Sequence, residues 1–179
     1  MRRPLALAAA ALAALAATSA NAALPVGAKA PDFSAQAALG GKTFPFQLSK
    51  ALARGPVVLY FFPSAFTAGC TKEAHDFAEA TADFAKAGAT VVGVTAGAVD
   101  RVAEFSKVEC RDKFAVIADP GAKIAKEYKS QLVLRPGWSD RTSHVIGQDG
   151  TVKFAYSDLN PDKHVDLTLA EVRKLKPGA

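Results

Sequence analysis

The chain is poor in the groups that usually announce a function. It has two cysteines and three histidines in 179 residues, and no C-x-x-C pair of the kind that thiol–disulfide oxidoreductases use. His75, His144 and His164 show no ligand spacing with one another, so they read as scattered structural or surface histidines, and no metal is expected. Gly93 and Gly97 form no phosphate-cradling loop. The formal net charge is +5, but charges of both signs are scattered and no basic run is interleaved with aromatics, which argues against nucleic-acid binding. There is no internal repeat, and none of these patterns implies a cofactor.

The N-terminus is the one compositionally distinct segment. Met1-Arg2-Arg3 precedes an Ala/Leu run from Leu5 to Ala17, and Ala20-Asn21-Ala22 follows as a small-x-small cleavage pattern. Residues 1–22 therefore read as a secretory signal peptide. A membrane anchor is the competing reading, but the thirteen-residue run is short for a bilayer, and Thr18, Ser19 and Asn21 close it. The residues after Arg2-Arg3 do not extend a twin-arginine motif, so Sec export is the expected route. Cleavage after Ala22 leaves 157 residues, 23–179, with formal charge +3 once Arg2 and Arg3 are gone. That length suffices for one domain with its own core. The expected location is periplasmic or secreted, without stable membrane association after cleavage.

Two cysteines in an exported chain fit a structural disulfide or a reactive thiol. Cys70 closes the stretch Pro63-Ser64-Ala65-Phe66-Thr67-Ala68-Gly69-Cys70. Before it lies Val57–Phe62, apolar at nearly every position and so predicted to be a strand covered on both faces. After it, Ala74, Phe77, Ala78, Thr81, Phe84 and Ala85 recur at helical spacing as far as Gly88. Cys70 thus falls at a strand-to-helix turn, where free N–H groups and the helix dipole favour a thiolate.

The remaining pattern is alternating. An extended lead-in, 23–32, precedes short strands at 33–37 and 43–48 around Gly40-Gly41, with Ser49 expected to cap one helical turn. A strand at 89–95 leads to a helix capped by Asp100, carrying Val102, Ala103, Phe105 and Val108 and finishing near Cys110. A strand at 114–118, a turn at 119–121 and a short helix at 122–128 come next, then an irregular stretch at 129–140. Segments 141–146 and 151–156 form a hairpin about Gly147-Gln148-Asp149-Gly150, and Val165, Leu169, Val172 and Leu175 line a last helix. The order predicts an α/β fold: a mixed sheet of the thioredoxin kind flanked by helices, in a single domain.

Pro63, Thr67 and Cys70 have the spacing P-x-x-x-T-x-x-C, and here the chain resembles the peroxiredoxins. Val57–Pro63, Phe66–Ala74, Val92-Gly93-Val94-Thr95 and Ser139-Asp140-Arg141-Thr142 resemble the PrxQ, or bacterioferritin-comigratory, subfamily in particular. The resemblance implies a thiol peroxidase for hydrogen peroxide or organic hydroperoxides, with Cys70 as the peroxidatic nucleophile. Thr67 would orient the peroxide, Pro63 would shape and shield the pocket, and Arg141 would be the cation beside the sulfur. Glu73, one turn beyond Cys70, would hold that guanidinium, or else lie on a solvated helix face.

Attack leaves a sulfenic acid that a second thiol can capture. The subfamily often places that thiol five residues on, where this chain has His75; another branch of it resolves from the helix after the next strand, where Cys110 falls, so the resemblance implies Cys110 as the resolving cysteine, with a one-cysteine mechanism the alternative. Ala68 and Ser64-Ala65 also depart from the usual pattern. A thioredoxin-like protein is the expected reductant, and a monomer or weak dimer the expected state. Two other readings are a thioredoxin-fold copper-binding chaperone, although a C-x-x-x-C pair is missing, and a disulfide-stapled binding domain.

Overall fold

A computed structural model describes residues 23–175. Residues 1–22, where a signal peptide is expected, and residues 176–179 lie outside the described residues. The alternation of the Val57–Phe62 run decides the layering. Val58, Tyr60 and Phe62 enter one core, and Val57, Leu59 and Phe61 enter the other, because successive strand residues face opposite sides. All six are fully buried, as a strand covered on both faces requires.

The strands are β1 (Ser34–Leu39), β2 (Lys42–Gln47), β3 (Val57–Ser64), β4 (Thr90–Gly97), β5 (Ala115–Ala118), β6 (Thr142–Ile146) and β7 (Val152–Ser157). They form one sheet in the order β2-β1-β5-β4-β3-β6-β7. β3 and β5 run parallel to β4, while the other pairs are antiparallel. The helices are α1 (Leu48–Leu52), α2 (Ala68–Lys86), α3 (Val102–Val108), α4 (Lys123–Glu127) and α5 (His164–Val172). Residues of α2, α3 and α5 share the core that holds Tyr60 and Phe62, whereas α1 and α4 pack with Phe61 on the opposite face. The mixed sheet flanked by helices is the expected architecture.

Three local expectations are corrected. Ser49 does not cap α1; its N–H donates to Oδ1 of Asp32 at 2.8 Å, so the cap comes from 17 residues upstream. Asp100 lies inside a 3₁₀ turn, Val99–Arg101, that precedes α3, and Val108 is exposed rather than on the buried face. Helix α2 starts at Ala68 and Cys70 is its third residue, at the strand-to-helix junction where it was expected.

Candidate active site

The chain leaves β3 at Ser64, turns sharply and enters α2 within four residues. Phe66 takes a left-handed φ of 62°, an expensive conformation for a bulky side chain. Its ring is held edge-on against Phe105, 5.2 Å between centroids, with the Arg101 guanidinium 3.8 Å above it. This turn sets Cys70 in the first turn of α2, where backbone N–H groups have no helical partner and the dipole is positive. The thiol is 1% exposed.

Thr67 occupies the N-cap position, but its side chain does not cap the helix. Its hydroxyl donates to the Ser64 carbonyl at 3.2 Å, which leaves the oxygen able to accept a hydrogen bond. Pro63 lies within β3, half-buried. Opposite it, a Cβ on Gly97 would lie 2.5 Å from the Pro63 carbonyl oxygen, so the close approach of the two strand ends needs glycine there.

Arg141 stands immediately before β6, which pairs with β3, and the antiparallel register brings its side chain back over the start of α2. Nη2 lies 3.4 Å from the Cys70 sulfur. Nη1 donates to Oε2 of Glu73, and Nε donates to the Leu159 carbonyl at 2.8 Å. The guanidinium is thus fixed at three corners while remaining 4% exposed. Burial works against the Arg141 charge, but Glu73 and Cys70 outweigh it and push its pKa further up. A Cβ on Gly69 would sit 3.2 Å from Nη2, which explains a glycine directly before the cysteine.

Glu73 is fully buried, so it does not lie on a solvated face. Burial pushes its carboxyl up to about 8, with the Arg141 guanidinium pulling the other way. Its Oε1 has no hydrogen-bond partner and faces Nδ1 of His164 at 3.7 Å. His164 Nε2 contacts the Asp158 carbonyl at 2.9 Å, and a carbonyl can only accept, so Nε2 carries the proton. In the neutral ring Nδ1 then accepts from the Ser143 hydroxyl at 2.8 Å. Burial pushes the His164 pKa down to about 4, which keeps the ring neutral.

The structure therefore brings Cys70, Glu73 and Arg141 together, with Pro63 near the end of β3 and Thr67 at the N-cap of α2, and adds His164, which sequence spacing had classed with the scattered histidines. No local signal marks it; only the packing of α5 on α2 creates the contact. Cys110 is fully buried two residues past the end of α3, in the same core as Cys70. Burial, and secondarily Glu109, push its thiol pKa up. Both cysteines are free thiols. Among the described residues no cluster of three or more His, Cys, Asp or Glu is placed to hold a metal ion.

Comparison with known proteins agrees with this geometry. Residues 26–155 match the AhpC/TSA family, and the chain belongs to it. It is 35% identical over 133 residues to a chloroplastic peroxiredoxin Q of Sedum lineare, covering 74% of this chain and 70% of that protein. A putative peroxiredoxin of Mycobacterium tuberculosis is also 35% identical, over 75% of this chain and 88% of its own length. Among solved structures, peroxidoxin BcpB from Mycobacterium tuberculosis superposes with a TM-score of 0.76 and 32% identity, covering 84% of this chain and 97% of that one. Peroxiredoxin Q of Xanthomonas campestris, at 24% identity and a TM-score of 0.66, shares the fold. The chain is a peroxiredoxin similar to the PrxQ type, and its activity is that of a thiol peroxidase.

Proposed function

We propose that Cys70 is the peroxidatic thiolate and that Arg141 is its activating cation. The observation that carries this is the 3.4 Å approach of Arg141 Nη2 to the Cys70 sulfur between two buried side chains. The thiolate attacks one peroxide oxygen, an S–O bond forms and the O–O bond breaks. The departing oxygen leaves as hydroxide or alkoxide and takes up a proton, giving water or an alcohol. A guanidinium fixed at this distance stabilises charge on the sulfur and on the departing oxygen in the transition state. Thr67 accepts a hydrogen bond from the peroxide O–H, and Pro63, without an N–H of its own, walls the pocket.

Resolution is assigned to Cys110. Its thiol condenses with the Cys70 sulfenic acid, the S–S bond forms, and the sulfenic oxygen leaves as water with the thiol proton. Bridged cysteines need Cα atoms roughly 4.4 to 6.8 Å apart, and Cys70 is buried within α2 while Cys110 is buried beyond the end of α3, so the turn of α2 that follows Cys70 unwinds to let them meet. A thioredoxin-like dithiol protein then reduces the disulfide. Residues 1–22 direct the protein to the periplasm, where it works as a monomer or weak dimer on hydrogen peroxide and organic hydroperoxides.

Peroxide consumption with dithiothreitol as reductant tests the assignment. Cys70→Ser removes turnover on this account, and retained turnover in that variant rejects it. Cys110→Ser keeps the first attack on peroxide but cannot form the intramolecular disulfide; a disulfide-dependent turnover that survives this change removes Cys110 from the mechanism.

A further inference from the structure

Cys110 lies between two residues that are each tied to the helix carrying Cys70. Glu109 Oε2 pairs with His75 Nε2 at 2.7 Å, and Arg111 Nη1 donates to Glu79 Oε1 at 3.2 Å. His75 and Glu79 are four residues apart and so neighbours on one face of α2. The segment they hold is itself strained: Arg111 and Asp112 take φ values of 52° and 59°, two successive side-chain-bearing residues in the left-handed region. Its backbone is folded back on α3, with the Cys110 N–H donating to the Phe105 carbonyl at 3.1 Å and the Asp112 N–H to the Ser106 carbonyl at 3.3 Å.

The two ties differ in weight. The Arg111–Glu79 pair is largely exposed, and pairs of that kind contribute little. In the other, the side chains are 34% exposed for His75 and 15% for Glu109, so it is the better shielded tie. His75 is also only five residues past Cys70, about one and a half helical turns along α2.

We propose that the His75–Glu109 pair is a latch: it holds Cys110 in the core while α2 is intact and lets go when the N-terminal turns of α2 unwind around oxidised Cys70. Release of Glu109 frees the strained segment to relax, and Cys110 swings towards the sulfenic acid. One local unfolding event therefore exposes the oxidised sulfur and delivers the thiol that captures it. His75 and Glu109 act as positioning residues for resolution and take no part in the attack on peroxide. The inference rests on Cys110 being the resolving cysteine, and the condensation needs no oxidant beyond the peroxide already consumed.

Rapid mixing of reduced full-length protein with one equivalent of hydrogen peroxide, followed by acid quench and non-reducing mass mapping, separates attack from disulfide formation. The disulfide phase is expected to be about two- to fivefold faster in His75→Ala and in the better size-matched Glu109→Gln, the range for losing a partly shielded pair. The attack phase should not change in either. Combining the two substitutions should add nothing to the faster single variant, because both break one contact. A disulfide phase at the wild-type rate in both variants, with the Cys70–Cys110 link still forming, overturns the latch and leaves the resolving assignment standing. Absence of that link in the wild-type protein overturns the resolving assignment and the latch with it.

Discussion

Arg141 touches Cys70 across 71 residues of sequence, its Nη2 3.4 Å from the sulfur while Nη1 of the same guanidinium holds Glu73. One cation thus contacts a buried thiol and a buried carboxyl from two prongs of a rigid fork. Helix α2 supplies both partners one turn apart, and the register of β6 against β3 supplies the cation. On the proposed mechanism, chemistry at the sulfur depends on this placement being fixed before the peroxide arrives.

Arg141→Lys keeps the charge and loses the fork. A lysine ammonium cannot bond Glu73, the Leu159 carbonyl and the sulfur in the same planar geometry. The second-order rate of peroxide attack on Cys70 is expected to fall by about a hundredfold or more, the scale for losing one oriented donor to developing charge. Stopped-flow fluorescence on the reduced protein measures it, and a fall of less than about threefold would show that charge alone suffices.

Glu73 makes stability depend on alkaline pH. Its folded pKa, about 8, lies above the ordinary 4.5, so the native state binds the proton more tightly than the unfolded chain does. Stability from this group is full below about 4.5 and is lost as pH rises to about 8. Urea unfolding at pH 5 and pH 8.5 should show a loss on the order of a few kcal/mol in the wild type and a much smaller one in Glu73→Gln. Equal losses in the two proteins would contradict the assignment.

His144 acts at the opposite end of the pH range. It is fully buried between Phe61 and Tyr128 with neither ring nitrogen hydrogen-bonded, and burial pushes its pKa down to about 3. The unfolded chain therefore takes up a proton that the folded one refuses. Stability is present above about 6.5 and declines as pH falls towards 3, with His164 adding a loss of the same sign. His144→Leu should raise stability at pH 7 by about 1–3 kcal/mol, since it removes unsatisfied polar atoms from the core. It should also flatten the acid limb of the urea midpoint against pH. A steeper limb would mean that the ring is not the group titrating.

What the sequence made legible was whatever is encoded locally. The run Val57–Phe62, the helical spacing after Cys70 and the hairpin about Gly147–Gly150 each carry their own period or turn chemistry, and each formed the expected element. The stretch Pro63–Cys70 was readable because strand, turn, glycine and cysteine are contiguous. Arg141 was reached through family resemblance, because nothing in its own neighbourhood points at Cys70. His164 and Gly97 stayed hidden for the same physical reason: their roles arise where α5 crosses α2 and where β4 closes on β3, and neither contact has a sequence period. The cap of α1 failed likewise, since Asp32 reaches Ser49 through the fold rather than along a helix.

On the proposed mechanism Cys70, activated by Arg141, is the sulfur that peroxide oxidises. The most direct test of this is the mass of the Cys70 peptide in Cys110→Ser protein after one equivalent of hydrogen peroxide, with a sulfenic-acid-selective nucleophile present in the quench. Adduct is expected on Cys70 in proportion to peroxide consumed, and little adduct over the same interval when Arg141→Gln is added. Peroxide consumed with Cys70 left as a free thiol, or adduct forming equally fast without Arg141, would contradict the mechanism.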